Sequence, residues 1–101
     1  MKKIKITAVR QTEYADLMEL SENKIEHKCD IKLNDTFISV DAKKPSGFCD
    51  SAWESVYPFV KRLNDGESNF FDGWMKNPYS AMISCNDGFR PFSFYVEVID
   101  E

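Results

Sequence analysis

Cysteine is the residue type in this chain with the widest chemistry, and there are three, Cys29, Cys49 and Cys85. A thiolate can act as a nucleophile or as a metal ligand. Cys49 lies two residues before Ser51, the predicted N-cap of a helix, where unpaired backbone N–H groups favour an anion. Cys85 is predicted to face Arg90 across a hairpin, and a guanidinium also favours the thiolate. The sequence thus indicates either a thiol-dependent enzyme using Cys49 or Cys85, or small buried cysteines, the commoner case.

The single histidine, His27, gives a second hypothesis, a zinc site. With the three cysteines it makes a Cys₃His set, which is chemically suitable for zinc: His27, Cys29, Cys49 and Cys85. Structural zinc sites usually draw their ligands from close CxxC or HxxxH pairs, and the chain has neither. The prediction is therefore that the protein holds no metal and no other cofactor.

Aromatic side chains, 14% of the chain, suggest a third kind of site, a binding pocket or an assembly surface. Trp53, Tyr57, Phe92 and Phe94 are predicted to belong to the core, whereas Phe70, Phe71 and Trp74 follow no period that would bury them. Polar anchors at the rim of apolar surface are typical of small-ligand sites. The predicted ligand-binding residues are Cys49, Asp50, Trp53, Cys85, Asp87 and Arg90.

The overall composition restricts the class of protein. A net charge of −4 argues against nucleic-acid binding, which normally needs a basic face. No apolar run approaches the ~20 residues that cross a bilayer, and the alternating residues after Met1 do not form a signal peptide. An odd number of cysteines fits a reducing compartment better than a disulfide scaffold. These features predict a cytoplasmic protein of one domain, residues 1–101, that is neither exported nor bound to membranes.

The first half of the chain predicts two strands and a short helix. Residues 2–11 alternate apolar and polar side chains, as a half-buried strand does, and residues 36–41 are β-branched and aromatic. Between them, residues 12–23 can form a short helix with Thr12 as its N-cap. We expect this helix to depend on packing because it is short.

A second helix is predicted from Ser51 to Leu63, with Ser51 and Glu54 as a capping box and an apolar stripe along one side. Pro58 lies inside it and predicts either a kink near Glu54 or two turns joined at Pro58. Residues 67–78 are predicted to be a loop that carries Phe70, Phe71 and Trp74.

The end of the chain predicts a hairpin with a four-residue loop at 86–89. Its predicted register places Ile83 opposite Phe92 and Cys85 opposite Arg90, which keeps apolar side chains on one face. The whole pattern predicts an α+β fold of order β-α-β-α-β-β, an antiparallel sheet of about four strands that either stays open or curls into a partial barrel. Any site would then group Cys49, Cys85 and Arg90 at one end of the sheet.

Two segments, GFCDSAWESVYP at 47–58 and SCNDGFRPFSF at 84–94, resemble an uncharacterised family of bacterial and archaeal proteins of about this length. The motifs are Gly-Phe-Cys-Asp-x-Ala-Trp…Tyr-Pro and Cys-x-Asp-Gly-x-Arg-Pro, preceded by a cysteine that corresponds to Cys29. The family has no particular histidine before that cysteine, so the resemblance implies no role for His27. The resemblance implies no reaction and no cofactor.

Taken together, these patterns favour a small cytoplasmic domain that binds a ligand or a partner. A homodimer is the predicted partner state, formed through Phe70, Phe71 and Trp74 or through an edge of the sheet. The thiol enzyme and the zinc protein remain the alternatives.

Overall fold

The computed structural model describes residues 2–21 and 31–100, and these ranges contain one sheet and its flanking helices. In chain order the elements are β1 (Lys3–Gln11), α1 (Ala15–Ser21), β2 (Thr36–Val40), α2 (Asp50–Asn64), α3 (Phe70–Gly73), β3 (Ser80–Ser84) and β4 (Phe92–Asp100). The described strands form an antiparallel sheet in the order β2-β1-β4-β3. The predicted α+β class and the four-stranded antiparallel sheet are confirmed, and the sheet is open rather than curled into a barrel.

The core lies between one face of the sheet and α2. Ile4, Ile6 and Ala8 of β1 are fully buried, because alternate residues of a strand point to the same face. Phe94 and Val96 of the neighbouring strand β4 continue this apolar face, and α2 packs across it on β1, β3 and β4. The alternation seen in the sequence therefore fixes which face of the sheet carries the helix.

The first turn of α2 corrects the predicted capping box. The helix begins at Asp50, its N-cap is Cys49, and Ser51 lies inside the first turn. The physical reason is Phe48, which is buried directly before the N-cap and packs edge-on against Trp53 at 6.0 Å between ring centroids. This contact is a hydrophobic staple, and it sets the start of the helix by apolar packing rather than by a side-chain cap.

Pro58 does not divide α2. The helix is continuous from Asp50 to Asn64, so the predicted two joined turns are wrong. Pro58 and Glu54 are both exposed, so the carbonyl that loses its partner to Pro58 lies on the solvent side. The buried side holds the helix together through Ala52, Val56, Val60 and Leu63.

The hairpin of β3 and β4 has a different register from the predicted one. Ile83 pairs with Phe94 instead of Phe92, a shift of two residues, and the connection runs over residues 86–91. A shift of two keeps every side chain on its predicted face, so hydrophobic alternation cannot distinguish the two registers. The predicted pairing of Cys85 with Arg90 is therefore wrong: Cys85 N–H donates to Phe92 O at 3.0 Å, and Arg90 lies in the loop.

The segment before α1 also differs from the prediction. The helix begins at Ala15, so Thr12 is not its N-cap. Instead, the backbone N–H groups of Thr12 and Tyr14 donate to the carbonyls of Pro91 and Phe89, at 3.0 Å and 2.8 Å. The chain leaving β1 thus continues alongside the loop that precedes β4.

The predicted loop at 67–78 contains the short turn α3. Phe70 is buried there and packs edge-on against Phe59 of α2. Phe71 and Asp72 have φ values of 56° and 58°, in the left-handed region that residues other than glycine rarely adopt. Trp74 follows and is 81% exposed. The three rings therefore differ in burial: Phe70 belongs to the core, whereas Trp74 is mostly in solvent.

Candidate ligand-binding cavity

A cavity of about 440 Å³ opens at one end of the sheet, beside the first turn of α2. Its apolar wall consists of Phe92 and Phe94 from β4, Ala52 from α2, and Ile31. Its polar wall consists of Gln11, Glu13, Cys49, Ser51, Cys85, Asp87 and Arg90. A concave space with an apolar side and a few convergent polar groups is the usual form of a small-molecule site.

The structure brings four of the six predicted ligand-binding residues to this cavity: Cys49, Cys85, Asp87 and Arg90. Asp50 does not line it, because its side chain is 91% exposed and forms an ion pair with Lys44. Trp53 does not line it either, because its ring lies between those of Phe48 and Tyr57.

The proposed zinc ligands divide between described and undescribed parts of the chain. His27 and Cys29 lie outside the described residues. Within residues 2–21 and 31–100, no group of three or more His, Cys, Asp and Glu side chains is arranged to hold a metal ion. Cys49 and Cys85 are both free thiols there.

Cys49 reaches the cavity because it is the N-cap of α2. The preceding turn closes with a hydrogen bond from Phe48 N–H to Pro45 O at 3.3 Å, and Gly47 takes a φ of 81° that suits glycine. The Cys49 carbonyl accepts the Trp53 N–H at 2.9 Å, while its thiol makes no capping hydrogen bond. The thiol is therefore placed by the turn and the staple, and it is half-buried.

Cys85 is held at the end of β3 by two contacts with the same partner. Its N–H donates to Phe92 O, and its Sγ accepts the Phe92 N–H at 3.3 Å. The next residue, Asn86, donates from Nδ2 to Ser51 O of α2 at 3.3 Å, which ties the strand end to the helix start.

Asp87 shapes the loop that carries Arg90. Its Oδ1 accepts the backbone N–H groups of Phe89 and Arg90, at 2.8 Å and 3.0 Å. This is the local side-chain-to-backbone turn that aspartate commonly makes. Arg90 is only 6% exposed, and among its interactions Nη1 donates to Sδ of Met18 at 3.3 Å. A buried guanidinium thus forms part of the cavity wall.

Seven lining residues lie outside the predicted ligand-binding set: Gln11, Glu13, Ile31, Ser51, Ala52, Phe92 and Phe94. The ladder between β1 and β4 shifts its register between Ala8 and Arg10, so Gln11 pairs with Phe92 beside the cavity. Such a bulge re-aims the side chains that follow it. The sequence carries one signal of it, because two apolar residues, Ala8 and Val9, stand side by side where the alternation of residues 2–11 breaks.

The arrangement suits a small molecule with an apolar part and polar groups on one side. Phe92 and Phe94 offer ring surface, and the polar wall offers Arg90 with the carboxylates of Glu13 and Asp87. Both signs of charge are present, so the cavity does not select ligands by one strong field. Selection would come from shape and from directed hydrogen bonds.

Fold and cavity together define an α+β protein with an open antiparallel sheet and a cavity at one end. Compared with protein-family models, curated proteins and solved structures, the chain gives no match. The resemblance carried by the motifs around Cys49 and Cys85 therefore stays a prediction. Among the described helices, none has the length and apolar character needed to cross a membrane.

Proposed function

We propose that this chain is a small-molecule-binding domain and that the cavity beside the first turn of α2 is its binding site. The observation that carries the proposal is the convergence of separate elements on this one space: the end of β1, the start of α2, the end of β3 and the loop before β4. The free thiols of Cys49 and Cys85 support a reducing compartment, and we propose the cytoplasm.

The ligand that fits is amphiphilic and of modest size. Its apolar part would lie on Phe92 and Phe94, and its hydrogen-bonding groups would face Arg90, Asp87 and Gln11. Three sets of contacts hold the loop of Asp87 and Arg90 in place. Two join it to residues 12–14 and, through Asn86, to α2, and the third lies within the loop through Asp87. Because this wall is already ordered before the ligand arrives, binding loses less conformational entropy.

The test uses 8-anilinonaphthalene-1-sulfonate, an amphiphilic probe, in a nuclear magnetic resonance titration of ¹⁵N-labelled protein. We expect saturable shifts of backbone amides around the cavity, such as those of Cys49, Ala52 and Phe92. The amides of Tyr79 and Val98 should stay in place because they lie at the opposite end of the hairpin. Absence of saturable shifts, or shifts centred on Tyr79 and Val98, would contradict the proposal.

Two tryptophan variants on α2 separate the cavity from the rest of the helix. Ser51 is exposed and lines the cavity, so Ser51→Trp should fill its mouth and weaken probe binding by about tenfold or more. Glu54 is exposed on the same helix but does not line the cavity, so Glu54→Trp is the matched control. Equal affinities of the two variants would count against the cavity as the site.

Assembly is a second candidate function, and a specific observation favours it. Trp74 is almost fully exposed, and its ring lies 6.2 Å from that of Phe71, which is itself packed on Phe59 of α2. An anchored aromatic pair ending in an exposed tryptophan has the composition of an interface centre. We propose that a second copy of this chain covers it.

A further inference from the structure

The two thiols of the cavity come from different elements that the structure holds together at this end. Cys49 is the N-cap of α2 and Cys85 follows the last residue of β3. The hydrogen bond from Asn86 Nδ2 to Ser51 O joins the residue after Cys85 to the first turn of the helix. The helix also packs on β3 and β4. Both thiols line the same cavity and both are half-buried, so small solutes can reach them.

We propose that Cys49 and Cys85 act as a dithiol pair that reduces small disulfides, with the formation of a Cys49–Cys85 disulfide. The substrate class is a disulfide of low molecular weight whose polar groups can face the cavity wall, for example oxidised glutathione. This inference rests on the cavity being open to small molecules, as the proposed binding function also requires. It goes further because it assigns a reaction and its two reacting atoms.

The reaction consists of two thiol–disulfide exchanges. In the first, one protein thiolate attacks a sulfur of the substrate disulfide; a protein–substrate S–S bond forms, and one substrate thiolate leaves with the electron pair of the broken bond. In the second, the other protein thiolate attacks the protein sulfur of that mixed disulfide and releases the second substrate thiolate. The protons of the two protein thiols pass to the two leaving thiolates. Two protein thiols are oxidised and one substrate disulfide is reduced.

The surroundings of each sulfur favour this chemistry. The Phe92 N–H donates to Cys85 Sγ, which fixes the position of that sulfur at the cavity. Cys49 Sγ makes no capping hydrogen bond at the start of a 15-residue helix. Closure of the disulfide requires Cα atoms within about 7 Å, and the tie between Asn86 and Ser51 keeps the two elements adjacent. Because both thiols line one cavity, the second thiol is close to the mixed disulfide, at an effective concentration of about millimolar. It can therefore attack the mixed disulfide in competition with free substrate thiols.

Peptide mapping of the unmutated protein tests the proposal directly. Trypsin places the three cysteines on separate peptides, residues 29–32, 44–61 and 77–101, because it does not cleave before Pro45 or Pro91. After incubation of the reduced protein with oxidised glutathione and quenching with iodoacetamide, we expect peptides 44–61 and 77–101 to be linked. Apart from the carbamidomethyl group that iodoacetamide adds to Cys29, the intact mass should fall by two hydrogen atoms. The linked form should exceed singly glutathionylated protein by about tenfold.

A background variant, Cys29→Ser, limits the reaction to the two cavity thiols. In that background, Cys49→Ser and Cys85→Ser should each stop at one glutathione adduct, since the resolving thiol is missing. The corresponding Cys→Ala variants replace any serine variant whose circular dichroism shows loss of folding. Separate glutathione adducts on both cavity cysteines, or a link that involves peptide 29–32, would overturn the proposal.

Iodoacetamide labelling of the native reduced protein separates this inference from the binding function. If the probe binds in the cavity and both thiols are alkylated, but glutathione gives only mixed disulfides, the redox inference alone fails. If both thiols resist alkylation until the protein is denatured and the probe does not bind, the cavity is closed and both proposals fail.

Discussion

At the scale of one residue, Asp87 is a candidate site residue that also stabilises the fold. Its Oδ1 accepts two backbone N–H groups, those of Phe89 and Arg90, within the connection between β3 and β4. The same carboxylate lines the cavity. Because the loop conformation carries Arg90 into the cavity wall, loss of the turn would also move Arg90.

This arrangement predicts that Asp87→Ala destabilises the protein by about 1–2 kcal/mol, because two backbone donors lose their acceptor. Asp87→Asn is the matched control, since its side-chain oxygen can accept the same two hydrogen bonds and should recover most of the loss. Urea unfolding followed by circular dichroism measures both. Equal stability of the alanine variant and the original protein would show that the turn does not depend on this side chain.

Lys61 gives a pH-dependent prediction at the same scale. A hydrogen bond from its ammonium group to Asp65 raises the pKa of Lys61 above the ordinary value of 10.5. The favourable contribution of the pair is therefore complete below pH 10.5 and is lost as the pH rises through the folded-state pKa. Asp65→Asn should lower the pKa of Lys61 toward the ordinary value, as followed by a side-chain nuclear magnetic resonance titration. An unchanged titration would exclude Asp65 as the cause.

At the scale of the element, α2 separates two explanations of a helix start. A capping box would use Ser51 and Glu54, whereas the structure starts the helix at Asp50 through the packing of Phe48 on Trp53. Phe48 also packs on Phe37 and Phe94, with ring centroids 4.9 Å and 5.4 Å away. The helix start is therefore part of the core.

From this we predict that Ser51→Ala and Glu54→Ala change the free energy of unfolding by less than about 0.5 kcal/mol, as exposed positions without a specific contact do. Phe48→Ala is the contrasting variant and should cost about 3–5 kcal/mol, because it leaves a cavity among three rings. Thermal unfolding compares the three. A loss of ~1 kcal/mol in Ser51→Ala would instead indicate that Ser51 caps the helix, as the capping box requires.

The elements show how far the sequence predicts this fold. Period-two alternation in residues 2–11 predicted β1 and its buried face, because burial alone determines that pattern. The hairpin register could not be predicted in the same way, since pairings that differ by two residues bury the same face. The choice depends on Asp87 folding residues 87–90 into a turn and on the ties of the loop to Thr12 and Tyr14. Such contacts join distant parts of the chain.

The candidate site could likewise be predicted only in part from the sequence. The cysteines and Arg90 could be named from their residue types and from the two motifs, and the structure places them on one cavity. Gln11 and Glu13 were not named, although the consecutive apolar residues Ala8 and Val9 break the alternation at the bulge in β1 that turns the chain toward the cavity. Asp50 is next to Cys49 in sequence but does not line the cavity, because it points to solvent and pairs with Lys44.

At the scale of the whole molecule, two features of the described structure leave surface for a partner. The sheet is open, so β2 and β3 are edge strands of the described sheet. Edge strands present unpaired backbone groups that another chain can engage. The second feature is Trp74, an exposed side chain directly after α3. Of these two features, Trp74 offers a partner more apolar surface, because a tryptophan side chain is large and apolar.

The homodimer proposal therefore predicts that Trp74→Ala lowers the fraction of dimer, measured by analytical ultracentrifugation over a range of concentrations. Truncation of a central interface tryptophan typically costs 2 kcal/mol or more, so the dissociation constant should rise by roughly thirtyfold. Leu20→Ala is the matched control, because Leu20 is 82% exposed on α1 and lies outside the aromatic pair. Phe71 should not be removed in the same variant, since it packs on Phe59 and its loss would also loosen the contact between α3 and α2. A monomer at all concentrations, or equal dissociation constants for Trp74→Ala and Leu20→Ala, would assign Trp74 no role in assembly.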